Sequence, residues 1–207
     1  RECPMKLDLG CGESPVEGHV GVDLPADDFS GGVDPSLGPQ QARLDPRGIV
    51  RFDLASGIPW PFADGSVESL HSSHLIEHLP ATDVVLYQWS TGGLGQHVLR
   101  RTGTRDALCW FMQEAWRVTR PGGEFLLRWP AMVDERTGTL CLGAFVDPSH
   151  RRFVPLQQMQ NWSRKGRELL PAHHLGIDCN WTIRRTLQRP LGRRDSIENE
   201  ALLVRED

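Results

Sequence analysis

The chain has 207 residues, 39% of them hydrophobic, which is enough to bury a full core, and we predict a single domain over residues 1–207. No run of about 18 apolar residues is present, which excludes a helical membrane span, and residues 1–4 lack the apolar core of a secretory signal. The five cysteines show no paired spacing. We therefore expect no disulfide framework, no cysteine-bound zinc, and a reducing, cytoplasmic compartment.

The net charge of −4 conceals an uneven distribution along the chain. Residues 1–99 carry 5 basic and 14 acidic side chains, a net charge of −9, whereas residues 100–207 carry 18 and 13, a net charge of +5. Residues 148–194 hold ten Arg or Lys and only two acids. This segment is either a solvated surface or a positive rim for an anionic substrate such as a phosphate, a carboxylate or nucleic acid.

Alternating strand and helix patterns predict an α/β fold with a mostly parallel sheet covered on both faces. The first two strands are expected at about 5–9 and 19–23, with only nine residues between them. A full helical crossover needs a dozen or more residues, so the first helix must be absent or reduced to one turn. Residues 25–47 are rich in Pro, Gly and Asp and are expected to be irregular, with room for one short helix.

The middle of the chain continues this alternation. Strands are expected at 49–53 and 67–72, separated by a loop over 55–66 whose Pro and Asp-Gly pairs indicate tight turns. A helix is expected to begin near Leu75. Residues 88–105 form an insertion that acts either as a mobile lid or as a surface loop.

The apolar spacing between Leu108 and Val118 predicts an amphipathic helix that stops at Pro121, followed by a strand at 124–129. Residues 131–176 are predicted to form a segment on the substrate side, with a helix at about 155–169. The apolar stretches at the C-terminal end predict an antiparallel hairpin, formed by residues 181–187 and 200–204.

The N-terminal strand runs into a glycine-flanked turn, residues 10–12, and Asp23 ends the second strand. Glycines allow a ligand to approach the backbone closely, and an acid at a strand end can accept hydrogen bonds from a ribose diol. Together they indicate an adenosine-containing cofactor. Pro15 takes the place of the third glycine of a dinucleotide fingerprint, and Glu13 places negative charge where a pyrophosphate would lie. Both features argue against NAD or FAD, whereas a cationic sulfonium cofactor tolerates acidic neighbours.

With these motifs in order, the chain resembles the class I (Rossmann-like) S-adenosylmethionine-dependent methyltransferases over roughly residues 5–130. The matching blocks are residues 7–12, 21–24, 52–54, 58–68, 72–79 and 116–123. The resemblance implies a seven-stranded sheet with one antiparallel strand, helices on both faces, a shortened first helix, and S-adenosyl-L-methionine as cofactor.

The resemblance also implies roles for single residues. Asp8 would help to orient the ammonium of the cofactor's methionine portion, Asp23 would accept both ribose hydroxyls, and Asp53 would accept the adenine amino group beside the Leu54 N–H. The complete expected cofactor-binding set is Asp8, Leu9, Gly10, Cys11, Gly12, Asp23, Leu24, Asp53, Leu54, Ser73 and His74.

The acceptor side is expected where residues follow the later strands. His74 and His150 are the two candidate catalytic residues. His74 is predicted to line the site, and His150 is a candidate general base because the pKa of histidine lies near neutrality. His78, Arg151 and Arg152 are expected to contact the acceptor. His74 and His78 also have a spacing that suits a metal site, but the sequence offers no clear third ligand, so no metal is expected.

The predicted reaction is transfer of a methyl group to an oxygen or nitrogen nucleophile of a small-molecule or carbohydrate acceptor. Two alternatives stay open. The basic residues of 148–194 would serve a nucleic-acid methyltransferase, although the acidic N-terminal half is a poor partner for a polyanion. A chain that binds the cofactor without catalysing methylation would share the same motifs.

Overall fold

The computed structural model describes residues 4–24, 42–91, 97–163, 166, 179–192 and 196–206. The regular elements are β1 Met5–Leu9, β2 Val20–Asp23, β3 Arg43–Leu44, β4 Val50–Arg51, β5 Val67–Ser73, β6 Asp83–Thr91, β7 His97–Asp106, α1 Ala107–Val118, β8 Thr119–Pro130, β9 Val133–Asp134, β10 Thr139–Leu140, β11 Trp181–Pro190 and β12 Ile197–Arg205. Two 3₁₀ helices cover Leu142–Ala144 and Leu156–Trp162. Within the described ranges, no helix has the length and apolarity that a bilayer crossing requires.

In the part of the chain that the structure describes, eight strands form the main sheet in the order β11-β12-β8-β5-β1-β2-β4-β3. Strands β8, β5, β1, β2 and β4 are parallel neighbours, β12 is antiparallel to both β8 and β11, and β3 is antiparallel to β4. The mostly parallel sheet and the C-terminal hairpin are therefore confirmed. The predicted number of seven strands is wrong because the two-residue strand β3 adds an eighth at the edge, in a stretch whose turn-rich composition concealed it.

Helix α1 covers one face of the sheet and organises the core. Its apolar residues are buried at the spacing that the sequence predicts, and Asp106 caps its first turn by accepting hydrogen bonds from Leu108 N–H and Cys109 N–H. The Phe111 ring lies 5.3 Å from that of Trp60 and 6.1 Å from that of Phe125, between centroids. Burial of each large aromatic side chain contributes about 1.5–3 kcal/mol to folding. The helix ends at Val118, before the predicted proline, because the chain turns directly into β8.

The crossover between β1 and β2 makes only turns, which confirms the predicted loss of the first helix. Side chains alternate along β1, so Asp8 points to the opposite face of the sheet from the residues on either side of it, which are buried beneath α1. The crossover contacts Asp8 and therefore lies on the face that α1 does not cover. Val16 N–H donates to Asp8 Oδ2 at 2.8 Å. Gly21 has no side chain, and a Cβ there would lie 2.6 Å from Cys11 Sγ. The turn can therefore lie directly on β2 in place of a helix.

The helix predicted near Leu75 is wrong. The chain makes one turn over residues 76–78 and then forms the antiparallel hairpin β6–β7. His74 has a φ of 56°, outside the helical region, and Pro80 prevents a helix from continuing. Residues 88–91 and 97–105 of the insertion belong to this hairpin, and residues 92–96 lie outside the described residues. Its role as a lid stays a prediction.

Three other expectations change in detail. The strand expected at 49–53 is only the two residues of β4. In the range expected to be helical, 155–169, residues 156–162 form a 3₁₀ helix and Gly166 is α-helical, and residues 164–165 and 167–169 lie outside the described residues. Most of the excursion at 25–47 lies outside the described residues. Helices on both faces are not found in the described ranges, where α1 is the one α-helix with defined bounds.

Candidate functional site

The parallel strands β1, β2, β4 and β5 carry their carboxyl ends to the same edge of the sheet, where ligands bind in open α/β sheets. At this edge, Gly12 N–H donates to Oδ2 of Asp23, and Leu24 N–H donates to Oδ1 of Asp23 at 2.7 Å. Gly10 N–H donates to Val22 O at 2.8 Å. These bonds couple the glycine turn to the end of β2, as the sequence motif predicts.

The two glycines of the turn serve different purposes. Gly10 has a φ of 71°, and a Cβ there would lie 2.9 Å from Leu75 Cβ, so the chain's own packing requires a glycine. Gly12 has a φ of 58°, and no described atom lies within 4 Å of the place where its Cβ would be. As far as the described residues show, the space beside Gly12 is therefore open to a ligand that approaches the backbone.

The Asp23 carboxylate keeps acceptor capacity toward this space. Each of its oxygens has two acceptor positions, and the structure uses one on each. Cys11 lies between the two glycines, where burial and then the charges of Asp23 and Asp8 raise the pKa of its thiol to about 11. The thiol is therefore neutral and unreactive at pH 7, and Cys11 serves as a small packing residue.

Sequence analysis did not identify Arg51, which organises this edge. The Arg51 guanidinium donates to Leu24 O at 3.1 Å and to Asp45 Oδ2 at 2.8 Å, and it lies 3.3 Å from Glu13 Oε1. Arg47 forms a second ion pair with Glu13. The only sequence signal was a basic residue in a short strand beside an acidic turn. These contacts offset the negative charge of Glu13 and anchor the glycine turn to β4.

Asp8 holds the crossover in place. Besides the bond from Val16, Asp8 Oδ1 lies 2.7 Å from His71 Nδ1, and the two residues are direct partners on adjacent strands. Asp8 is only 4% exposed, and each of its two carboxylate oxygens already has a hydrogen-bond partner. Its contacts support a role beneath the glycine turn, and its predicted contact with a cofactor ammonium stays a prediction.

Asp53 follows β4 at the same edge. Burial raises the pKa of its carboxyl, and the hydrogen bond from Ala55 N–H to Oδ1, 2.8 Å long, partly opposes that shift. The backbone carbonyl of the neighbouring Leu54 accepts a bond from Trp60 Nε1 at 3.1 Å. The raised pKa means that burial disfavours the ionised form of Asp53. A half-buried carboxylate with a shifted pKa at the end of a strand is typical of a ligand site.

His74 lies at the end of β5 between two buried carboxylates. Its Nδ1 is 3.1 Å from Glu77 Oε1, its Nε2 is 3.0 Å from Glu198 Oε1, and His74 N–H donates to Arg128 O at 2.9 Å. The hydrogen bond to Glu77 is the main cause that raises the pKa of His74, against an opposing effect of burial, and Glu198 adds to it. A carboxylate faces each ring nitrogen, so the raised pKa favours the imidazolium form, in which both nitrogens donate and no lone pair is free. This arrangement suits a positioning group rather than a general base.

His150 and His78 are brought together although they are far apart in the chain. Their ring centroids are 4.9 Å apart, and His150 Nδ1 donates to Ala144 O at 2.8 Å. The main chain of Arg151 and Arg152 is bonded to Glu77 O, so the loop after β10 packs on the end of β5.

The two predicted acceptor arginines have different surroundings. The Arg152 guanidinium donates to Asp106 Oδ2 at 2.7 Å and to Leu79 O at 3.2 Å, which makes it a brace between its loop and the start of α1. Arg151 is exposed. Of the remaining predicted residues, Leu9 is fully buried in the core and Ser73 is half-buried at the end of β5.

Comparisons with known proteins identify solved structures that share this fold. No protein-family model matches the chain, and no curated protein does. The chain is similar to the solved structure of a SAM-dependent methyltransferase from Archaeoglobus fulgidus, with 12% identity, 99% of this chain and 87% of that one covered, and a TM-score of 0.50. It is also similar to a SAM-dependent methyltransferase from Methanosarcina mazei, with 12% identity, coverages of 100% and 94%, and a TM-score of 0.51.

A third similar structure contains bound ligands. It is the 1,6-didemethyltoxoflavin-N1-methyltransferase of Burkholderia thailandensis with 1,6-didemethyltoxoflavin and S-adenosylhomocysteine, at 14% identity, coverages of 98% and 71%, and a TM-score of 0.52. The chain therefore has the fold of the S-adenosylmethionine-dependent methyltransferases, and the resemblance seen in the sequence is confirmed at the level of the fold.

Proposed function

We propose that this chain binds S-adenosylmethionine at the carboxyl ends of β1, β2 and β4 and transfers its methyl group to an oxygen or nitrogen of a small-molecule or carbohydrate acceptor. The observation that carries the proposal is the Asp23 carboxylate, fixed by Gly12 and Leu24 and bordering open space. A carboxylate held in this way can accept both hydroxyls of a ribose without losing its backbone donors.

The residues at this edge fit the cofactor. Asp23 would bind the ribose, Asp53 would accept the adenine amino group, and the backbone at Gly12 would lie against the methionine portion. Pro15 in place of a third glycine disfavours a pyrophosphate site, and Glu13, paired with Arg47 and Arg51, is compatible with a cofactor that has no phosphate. The bound cofactor supplies an already activated methyl group, so the protein's main contribution is to align the acceptor with it.

The acceptor would be bound by the segment that packs on the end of β5. His74 presents a half-exposed, positively charged ring, with 42% of its side chain accessible, and is fixed by Glu77 and Glu198. We assign it a positioning role toward a polar acceptor. His150 stays the candidate base, acting through Nε2, because its Nδ1 already donates to a carbonyl.

The charge of the N-terminal half favours a small acceptor over nucleic acid, because residues 1–99 carry a net charge of −9 and are a poor partner for a polyanion. In the basic 148–194 segment, Arg152 is paired with Asp106, whereas Arg185 and Arg189 share the one negative charge of Glu200 with Arg128 and leave a net positive cluster. We therefore propose a small-molecule or carbohydrate acceptor, bound by a single domain, and nucleic acid stays the alternative.

Calorimetric titration with S-adenosylhomocysteine tests the proposal. We expect one binding site per chain, and no detectable binding of NAD at the same concentration. A homocysteine-release assay over a panel of hydroxyl and amine acceptors then tests catalysis. Binding without turnover on any acceptor would support a non-catalytic protein, and binding of neither compound would contradict the proposal.

Replacing Asp53 with asparagine is expected to weaken S-adenosylhomocysteine binding by about tenfold, as for one lost charged hydrogen bond. The unfolding free energy at pH 7 is expected not to fall, because burial of the ionised Asp53 is unfavourable. Since the folded-state pKa of Asp53 is raised, its ionisation costs stability as the pH rises from the ordinary value toward the folded value. The stability advantage of the variant should therefore grow over that interval and then stay constant. Chemical denaturation at several pH values, with calorimetry, measures both effects.

A further inference from the structure

A second polar cluster lies where the segment after β5 meets the loop that follows the first 3₁₀ helix. One carboxylate oxygen of Glu77 and one ring nitrogen each of His78 and His150 lie within 4.8 Å of one another. The main chain fixes this meeting, because Arg151 N–H and Arg152 N–H donate to Glu77 O at 2.8 and 3.0 Å. Two separate stretches of chain thus bring three metal-ligand side chains to one point.

The Glu77 carboxylate is buried and incompletely satisfied. Its side chain is 3% exposed, and Oε1 interacts with His74 Nδ1. Among the described residues, Oε2 has no hydrogen-bond partner. Leaving a buried carboxylate oxygen unpaired is costly, so such an atom calls for a further partner such as an ion.

The two histidines are held in the tautomer that binds metals. His150 Nδ1 lies 2.8 Å from Ala144 O, which can only accept, so the lone pair of His150 is on Nε2. His78 Nδ1 lies 3.3 Å from Ser149 O and 3.2 Å from Ser149 Oγ. The Ser149 hydroxyl already donates its one proton to Asp147 Oδ1 at 2.5 Å, so His78 Nδ1 must be the donor here too. Histidine ligands of metals usually donate the other ring N–H in this way.

We propose that Glu77, His78 and His150 bind a divalent transition-metal ion of the zinc type. Two imidazoles and one carboxylate form a donor set that suits Zn²⁺ and leave a fourth position. That fourth position is left for a water molecule or an exogenous ligand. When an ion binds, each ligand atom would lie about 2.1 Å from it, so the three side chains would move slightly closer to one another than they are in this structure. The ion would fasten the loop that carries the predicted acceptor residues to the end of β5. It would also occupy Nε2 of His150, so His150 can act as the proposed base only when the ion is absent.

Zinc titration of the chelator-treated full chain tests the site, with a chromophoric chelator as competitor. The wild-type protein is expected to bind one equivalent tightly and to melt at a higher temperature with Zn²⁺ than with EDTA. His78→Ala and His150→Ala are each expected to weaken binding at least tenfold and to lose the zinc-dependent rise in melting temperature. His19→Ala, a histidine of the glycine-turn crossover, is the matched control and should bind as the wild type does.

A ligand exchange separates metal binding from a merely structural effect. His150→Cys keeps a ligand atom, so its Co²⁺ complex should show a new sulfur-to-cobalt charge-transfer band that the wild-type complex lacks. Equal melting temperatures in EDTA would show that the variants fold. Absence of zinc binding by the wild type, or zinc binding that neither histidine substitution weakens, would overturn the proposal. None of these readouts depends on S-adenosylmethionine, so the metal site and the proposed function can fail separately.

Discussion

Asp23→Ala is expected to weaken S-adenosylhomocysteine binding by about 1–3 kcal/mol, or roughly 5- to 150-fold, as judged by calorimetry. The carboxylate is proposed to accept the ribose hydroxyls, and it also holds Gly12 N–H and Leu24 N–H in place. The substitution removes both the contact with the ligand and the anchor of the glycine turn. The loss should therefore lie in the upper part of this interval.

The matched control is Glu17→Ala, which removes the same charge from an exposed position in the same crossover. It should leave the affinity unchanged, which would show that the effect of Asp23→Ala does not come from the loss of one negative charge anywhere in the crossover. If Asp23→Ala binds as tightly as the wild type while remaining folded, Asp23 does not contact the cofactor.

Glu114→Ala is expected to lower the unfolding free energy by about 3 kcal/mol, because it breaks a buried ion pair and leaves a buried donor unpaired. Glu114 is 4% exposed, and it accepts hydrogen bonds from Trp60 N–H at 2.6 Å and from Arg117 Nη2 at 2.7 Å. Through these bonds α1 holds the loop between β4 and β5, which leads away from Asp53. Urea denaturation measures the effect.

An exposed glutamate on β8, Glu124, provides the control for this substitution. Glu124→Ala should change stability by less than about 0.5 kcal/mol. A similar small change for Glu114→Ala would show that the Trp60 loop does not depend on this carboxylate. In that case the turn residues of the loop would be sufficient to hold it.

The parts of the fold and the site that the sequence predicts correctly depend on local patterns. The strand before Gly10, the missing first helix and the placement of Asp23 follow from residue spacing within a short stretch. The amphipathic helix that ends near Val118 follows from apolar periodicity. Each of these features is determined by neighbouring residues, so a single sequence contains the necessary signal.

The failures arise where the backbone or the tertiary structure decides. The helix predicted near Leu75 does not form because His74 takes a positive φ and is held there by Glu77 and Glu198. Glu198 belongs to β12, so no local pattern could reveal this contact. The sequence also gives no sign that His150 joins Glu77 and His78, because this meeting depends on the packing of distant loops, and a metal ion there stays a proposal.

A crystal structure of the wild-type chain with S-adenosylhomocysteine tests the central claim most directly. The ligand should lie at the carboxyl ends of β1 and β2, with its ribose hydroxyls about 2.5–3.0 Å from the Asp23 carboxylate oxygens and its methionine portion along the Gly12 backbone. A ligand bound at another surface, or an edge that stays empty at saturating concentration, would contradict the account.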